Sequence, residues 1–151
     1  MSLAVSTATV EDAAHIGRLL HDFNREFDAP TPAPEVLAAR LRRLLADGDT
    51  TVLLGGDGPD GLVVLRYRPA IWTEALECWL AELYVVPLHR GHGLGRALLE
   101  AATDEAREHG ADRMELATGL DDGAARSLYE RLGFTKGVGD DVTYFYEREL
   151  S

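Results

Sequence analysis

Apolar positions along this chain switch between a period near 3.6 and a period of two, and each switch marks a new element. Ser2 to Ala8 alternates as a short strand. Thr9, three residues before Asp12, is placed to cap a helix running to about Phe27, with an apolar stripe of Ile16, Leu19, Leu20 and Phe23. Ala29-Pro30-Thr31-Pro32-Ala33-Pro34 breaks that helix, and Pro34 suits the first position of a second one to about Ala46, with Leu37, Leu41, Leu44 and Leu45 inward. Thr50 to Leu54 and Leu62 to Tyr67 read as paired central strands joined by the glycine-rich run 55–61. A strand from about Leu76 to Val86 then enters a second glycine-rich turn. Gly93 to Glu108 follows as a helix in which Leu94, Ala97, Leu98 and Ala101 recur at helical spacing, and His109-Gly110 closes it. A strand near Arg113 to Ala117, a helix near Gly123 to Leu132 and a final strand from about Val142 to Glu147 complete the pattern, with Tyr144 and Tyr146 on one face and Phe145 on the other. The order is mixed α/β. No linker or low-complexity segment divides it, so residues 1–151 read as one domain.

The second glycine-rich turn carries the chemistry. Gly91, Gly93 and Gly95 let the backbone approach a ligand and aim several N–H groups the same way, and the helix after them points the positive end of its dipole at that spot. Arg90 and Arg96 add full charges, which favours a pyrophosphate over a single carboxylate. A dinucleotide fingerprint would need glycine where Arg96 stands, and a P-loop would end in Gly-Lys-Ser/Thr; neither pattern fits.

Arg90-Gly91-His92-Gly93-Leu94-Gly95, after Leu83-Tyr84-Val85-Val86-Pro87, resembles the acyl-CoA-binding motif of the GNAT superfamily of N-acetyltransferases, Arg/Gln-x-x-Gly-x-Gly/Ala. About thirty residues on, Ala125, Tyr129, Gly133 and Phe134 are similar to the family's second signature, Asn-x-x-Ala-x-x-x-Tyr followed by x-x-x-Gly-Phe. One position departs: Asp122 stands where the family has Asn, and an acceptor-only carboxylate cannot donate as an amide does. The resemblance, strongest from Glu82 to Phe134, implies a mixed, mostly antiparallel central sheet flanked by helices, an α/β (α+β) fold, with acetyl-CoA as cosubstrate. It implies that main-chain atoms of Leu83, Tyr84 and Val85 hold the thioester and pantetheine. The turn through Arg90, Gly91, His92, Gly93, Leu94, Gly95 and Arg96 then holds the diphosphate, and Asp122 and Tyr129 complete the cofactor side.

An acyl thioester is attacked by a neutral amine, so such a site must orient a carbonyl, take a proton from an ammonium and give one to the departing thiolate. A phenol with a pKa near 10 is protonated at neutral pH, which makes Tyr129 the candidate general acid. Glu82, by alternation on a face with Leu80 and Tyr84, is the candidate base or ammonium anchor; similar family members acting on small amines carry an acidic residue there. Phe23, Glu26 and Trp79 are expected beside it at the acceptor, with Asp28, Trp72 and Tyr67 as further candidates. Cys78, between Leu76 and Leu80, reads as a packed strand thiol, so transfer is expected to be direct. A non-catalytic acyl-CoA sensor and an enzyme acting on protein amino groups stay open.

Charge narrows the partners. With 26 acidic against 15 basic residues the formal net charge is −11, which argues against nucleic acid and suits a small cationic amine. His15, His21 and His109 lie on helices without metal-ligand spacing, so no metal is expected, and His89 and His92 are expected at the surface. Neither a run of eighteen apolar residues nor a basic leader is present, so a cytoplasmic protein away from membranes is expected. The resemblance also implies a homodimer formed through late strands, where Tyr144-Phe145-Tyr146 lies.

Overall fold

Five strands assemble in chain order into one sheet in the computed structural model: β1 (Val5–Thr7), β2 (Thr50–Gly55), β3 (Gly61–Pro69), β4 (Leu76–Val85) and β5 (Ala111–Glu115). The structure describes residues 2–151 as two compact units, one ending at Glu115 and one from Leu116 to Ser151. Within the first, β1 to β4 pair antiparallel, and β5 joins β4 in parallel. A parallel neighbour needs a crossover, which α3 (Leu94–Glu108) supplies.

The two faces of the sheet are covered differently. Val52, Leu54, Leu62, Val64 and Tyr84 pack with Ile16 and Leu19 of α1 (Ala13–Glu26) and Leu41 of α2 (Pro34–Asp47). At Gly17 the two helices come so close that a methyl would collide with the Pro34 carbonyl oxygen and with Ala38. Thr9 and Asp12 form a capping box around a short 3-10 turn ahead of α1: the Thr9 N–H donates to Asp12 Oδ2 at 2.8 Å, and Thr9 Oγ1 accepts from the Glu11 N–H at 3.3 Å. On the opposite face α3 lies over Gly55 and Gly61, where added methyls would stand 2.8 Å from Leu94 and 3.0 Å from Leu98. Its buried stripe is Leu94, Leu98, Leu99, Ala102 and Ala106, while Ala97 and Ala101 are only half-buried. Turning the helix to cover Leu99 removes more apolar surface from water than covering two alanines.

In the second unit α4 (Gly123–Arg131) ends in a Schellman cap. Gly133, at φ 92°, donates its N–H to Glu130 O at 3.2 Å, and the Phe134 N–H reaches Tyr129 O at 3.0 Å. The strand expected over 142–147 does not form. Asp141 N–H closes a turn onto Val138 O at 3.1 Å and Thr143 N–H reaches back seven residues to Lys136 O at 2.7 Å, so these groups bond within 136–143 rather than joining the sheet, and Tyr144, Phe145 and Tyr146 are 74%, 63% and 86% exposed. No helix among the described residues is long and apolar enough to cross a membrane.

Candidate active site

Beyond Cys78, β4 changes character twice. Its ladder with β5 ends where Trp79 meets Glu115, so from Leu80 to Val85 its ladder partners among the described residues are all on β3. Just past that point Val64 stands opposite Glu82 while the next residue, Leu65, stands opposite Leu80, so Ala81 is an extra residue in β4. A bulge of this kind twists the strand and re-aims the side chains beyond it. It also overturns the expectation that Glu82 shares a face with Leu80. Leu80 follows Leu65 toward α3, whereas Glu82 follows Val64, and with Tyr84 opposite Leu62 it faces the α1 and α2 side.

Glu82 is solvent-accessible, yet the protein around it desolvates its carboxyl enough to raise its pKa above the ordinary range. Trp79, half-buried opposite Arg66, lies on the same face. Tyr67 does not: it is buried toward α3, stacked 3.9 Å from His109, because its register places it opposite Cys78. Trp72 sits in the β3–β4 loop and is 91% exposed. Cys78 is buried and its thiol is pushed up to about 11, which removes thiolate at neutral pH.

Past Val85 the chain makes a short 3-10 turn, Pro87–His89, and then the glycine turn. Gly91 and Gly93 adopt φ of 80° and 93°, the left-handed region that glycine enters freely, and a methyl at Gly91 would meet nothing within 4 Å. Backbone conformation rather than crowding demands glycine here. The first bond of α3 runs from the Ala97 N–H to Gly93 O at 3.0 Å, so the N–H groups of Leu94, Gly95 and Arg96 precede the helical ladder and point out of its N-terminus. The open turn, these donors and the dipole fit a diphosphate.

Both flanking arginines already hold carboxylates. Arg96 Nε bonds Glu100 at 2.9 Å one turn along α3. Arg90 reaches farther: Nη1 and Nη2 each bond a Glu26 oxygen at 2.8 Å, Nε donates to Val85 O at 2.9 Å, and the guanidinium lies 5.7 Å from the Tyr84 ring centre. The Tyr84 hydroxyl donates to Glu26 at 3.3 Å, and Phe23 stacks on Tyr84 at 4.9 Å. Arg90 therefore holds the Glu26 carboxyl below its ordinary range. His89 contacts Asp60 at 3.5 Å, and His92 is exposed on the turn.

In the second unit Asp122 caps α4, its Oδ1 accepting the Ala125 N–H at 3.1 Å. Tyr129 is half-buried with its ring edge-on to Phe134, and burial, followed by the Asp122 carboxylate, raises its phenol above 10. Spacing alone leads from the second signature to this geometry: Tyr129, Gly133 and Phe134 are the first, fifth and sixth residues of the cap that ends the helix.

Residues 16–134 match the model of the acetyltransferase (GNAT) family. The chain belongs to this family. A solved GNAT-fold structure from Arthrobacter sp. FB24, described as an acetyltransferase without a stated acceptor, is 45% identical, with a TM-score of 0.90 over 97% of this chain and 96% of that one. A mycothiol acetyltransferase of Beutenbergia cavernae is 37% identical over 86 residues, 55% of this chain, and the streptothricin acetyltransferase of Streptomyces lavendulae is 37% identical over 100 residues, 66% of this chain. The chain spans only 27% and 51% of the lengths of those two curated relatives.

Within this GNAT chain the glycine turn and β4 fall where the sequence places them, but the sequence shows neither the pairing of Glu26 with Arg90 nor the bulge at Ala81. The former joins residues 64 apart, and the latter is a property of two strands read together, so neither leaves a local signal.

Proposed function

We propose that this chain moves an acetyl group from acetyl-CoA directly to the primary amine of a small cationic molecule. The carrying observation is the union of a bulged, one-sided strand end with the free N–H groups of Leu94, Gly95 and Arg96. Acetyl-CoA, when bound, supplies the activated acyl group and a thiolate leaving group. The chain's own residues are assigned the rest. The turn amides from Gly91 to Arg96 hold the diphosphate, and main-chain groups of Leu83, Tyr84 and Val85 hold the pantetheine arm and orient the thioester. Glu82, its pKa raised by desolvation, takes the amine proton directly or through a water. Tyr129 donates its hydroxyl proton toward the sulfur, with Asp122 holding the start of its helix.

Small-molecule acceptors are supported by the mycothiol and streptothricin relatives and by the net charge of −11. The family match, over residues 16–134, extends past Glu115 and Leu116, which supports treating residues 1–151 as one acetyltransferase domain. Homodimerisation through the exposed 144–146 aromatics belongs to the same proposal, and a monomer in sedimentation equilibrium would remove it. The deciding experiment measures thiol release from acetyl-CoA with a panel of diamines, polyamines and aminoglycosides, and identifies products by mass. Amine-dependent release with an added acetyl mass is expected. Binding of coenzyme A with no amine-dependent release would make the domain a sensor, and release only with peptide amines would move the acceptor to protein.

A further inference from the structure

We propose that Glu26 is a positioning residue for the cofactor turn: through Arg90 it locks the glycine-rich turn to the free end of β4, and it does not receive the amine. This rests on the reading of the turn as the coenzyme A site.

Arg90 stands between the last residues of β4 and the first flexible glycine. Its fork spans both sides, with Nε on Val85 O at 2.9 Å and the two terminal nitrogens on the two Glu26 oxygens at 2.8 Å. A planar guanidinium held at three points cannot swivel, so the backbone that carries it is fixed as well. Fixing is needed there because Gly91 and Gly93 are both at positive φ, with nothing near Gly91 and only Leu3 Cδ1 in ordinary contact at Gly93, so they give the turn little rigidity of their own. The last long-range ties ahead of the turn are at Asp60, which accepts the Val86 N–H at 2.8 Å and meets His89 at 3.5 Å, whereas the main-chain bonds that follow, His89 N–H to Val86 O at 3.0 Å and Arg90 N–H to Pro87 O at 3.3 Å, are local.

Glu26 is in turn held by the sheet face. Its Oε1 accepts from the Tyr84 hydroxyl as well as from Arg90, and Tyr84 is stacked by Phe23, one turn earlier on α1. Both carboxylate oxygens thus have donors and the negative charge already faces a guanidinium, which makes the group a poor proton acceptor and weakens its pull on a second cation. The end of α1, the end of β4 and the start of the turn are tied at one point.

The test uses coenzyme A alone, titrated calorimetrically into the full chain and into Glu26→Gln, Arg90→Gln, their double variant and Arg90→Lys. Each single substitution is expected to weaken binding on the order of tenfold, and the double no more than either single, since the two act as a unit. Arg90→Lys keeps the charge but not the fork, so it is expected to weaken binding as much as Arg90→Gln. Melting temperatures within a few degrees of wild type, about what a partly exposed ion pair contributes, separate positioning from loss of fold. Once an acceptor is known, Glu26→Gln should raise KM for acetyl-CoA and leave acceptor KM within about twofold. The inference fails if Glu26→Gln binds coenzyme A like wild type, if Arg90→Lys retains full affinity, or if the double variant shows the product of the single effects. Wild-type protein that binds no coenzyme A overturns the reading of the turn itself.

Discussion

Glu82 and Glu26 face the same side of the sheet, and their carboxyls are displaced in opposite directions: Glu82 upward by desolvation, Glu26 downward by the Arg90 hydrogen bonds. For Glu82 the folded pKa lies above the unfolded one, so the folded state holds the extra proton between the two values. Stability from that proton is present below the unfolded pKa and is lost as pH rises through the folded one. Glu82→Gln, which removes the ionised group, should therefore melt higher than wild type near pH 7, with the gap closing as pH falls toward about 4. The same variant should lose acetyl transfer on the order of a hundredfold, the usual worth of a positioned base. Calorimetric melts across that range together with initial rates check both halves, and an unchanged rate would remove Glu82 from the mechanism. In the proposed mechanism Tyr129 donates the other proton. Its phenol is raised above 10 by burial and by Asp122, so it stays protonated throughout the neutral range. Tyr129→Phe should lower turnover on the order of a hundredfold while leaving coenzyme A affinity nearly unchanged, and equal losses in both would mark a packing role instead.

At the scale of elements, β4, the turn and α3 were legible because each has a local cause: apolar strand residues, glycines where φ must be positive, and a helical stripe. Gly93→Ala tests that cause. The site has room, with only Leu3 Cδ1 at 3.7 Å from an added methyl, so the penalty is purely conformational and should be about 1–2 kcal/mol of stability. Coenzyme A binding should weaken more than stability predicts, because the Leu94, Gly95 and Arg96 donors are aimed by that φ. Titration beside a chemical melt reads the two separately, and full affinity would mean the turn needs no left-handed residue there. What escaped the sequence was relational. The partner of each residue in β4 depends on one extra residue at Ala81, which sends Leu80 and Glu82 to opposite faces although they stand two apart. Tyr67 went to the α3 side for a similar reason, its register with Cys78. The 142–147 segment has a strand's alternation, but alternation supplies only half of a strand; the other half is a neighbour to pair with, and its Thr143 N–H is bonded to Lys136 O, seven residues back.

For the molecule as a whole, the net charge of −11 acts in opposite senses on the two proposed substrates. A cationic amine is drawn toward an acidic surface, and a coenzyme A polyanion is repelled by it until it comes within reach of the turn amides and arginines. Those arginines are shared with Glu26 and Glu100, which reduces their pull at a distance and leaves recognition of the anion to short-range donors. Raising ionic strength from about 0.01 M to 1 M shortens the screening length from roughly 30 Å to 3 Å, so the long-range part of both effects is erased. The value of kcat/KM for the amine should then fall, on the order of tenfold for a doubly charged acceptor, while that for acetyl-CoA should hold or rise. Opposite responses in one preparation cannot come from a salt effect on folding, which would move both the same way. A fall in both, or an amine term indifferent to salt, would mean the acidic surface serves solubility alone and that acceptor choice rests on contacts around Glu82.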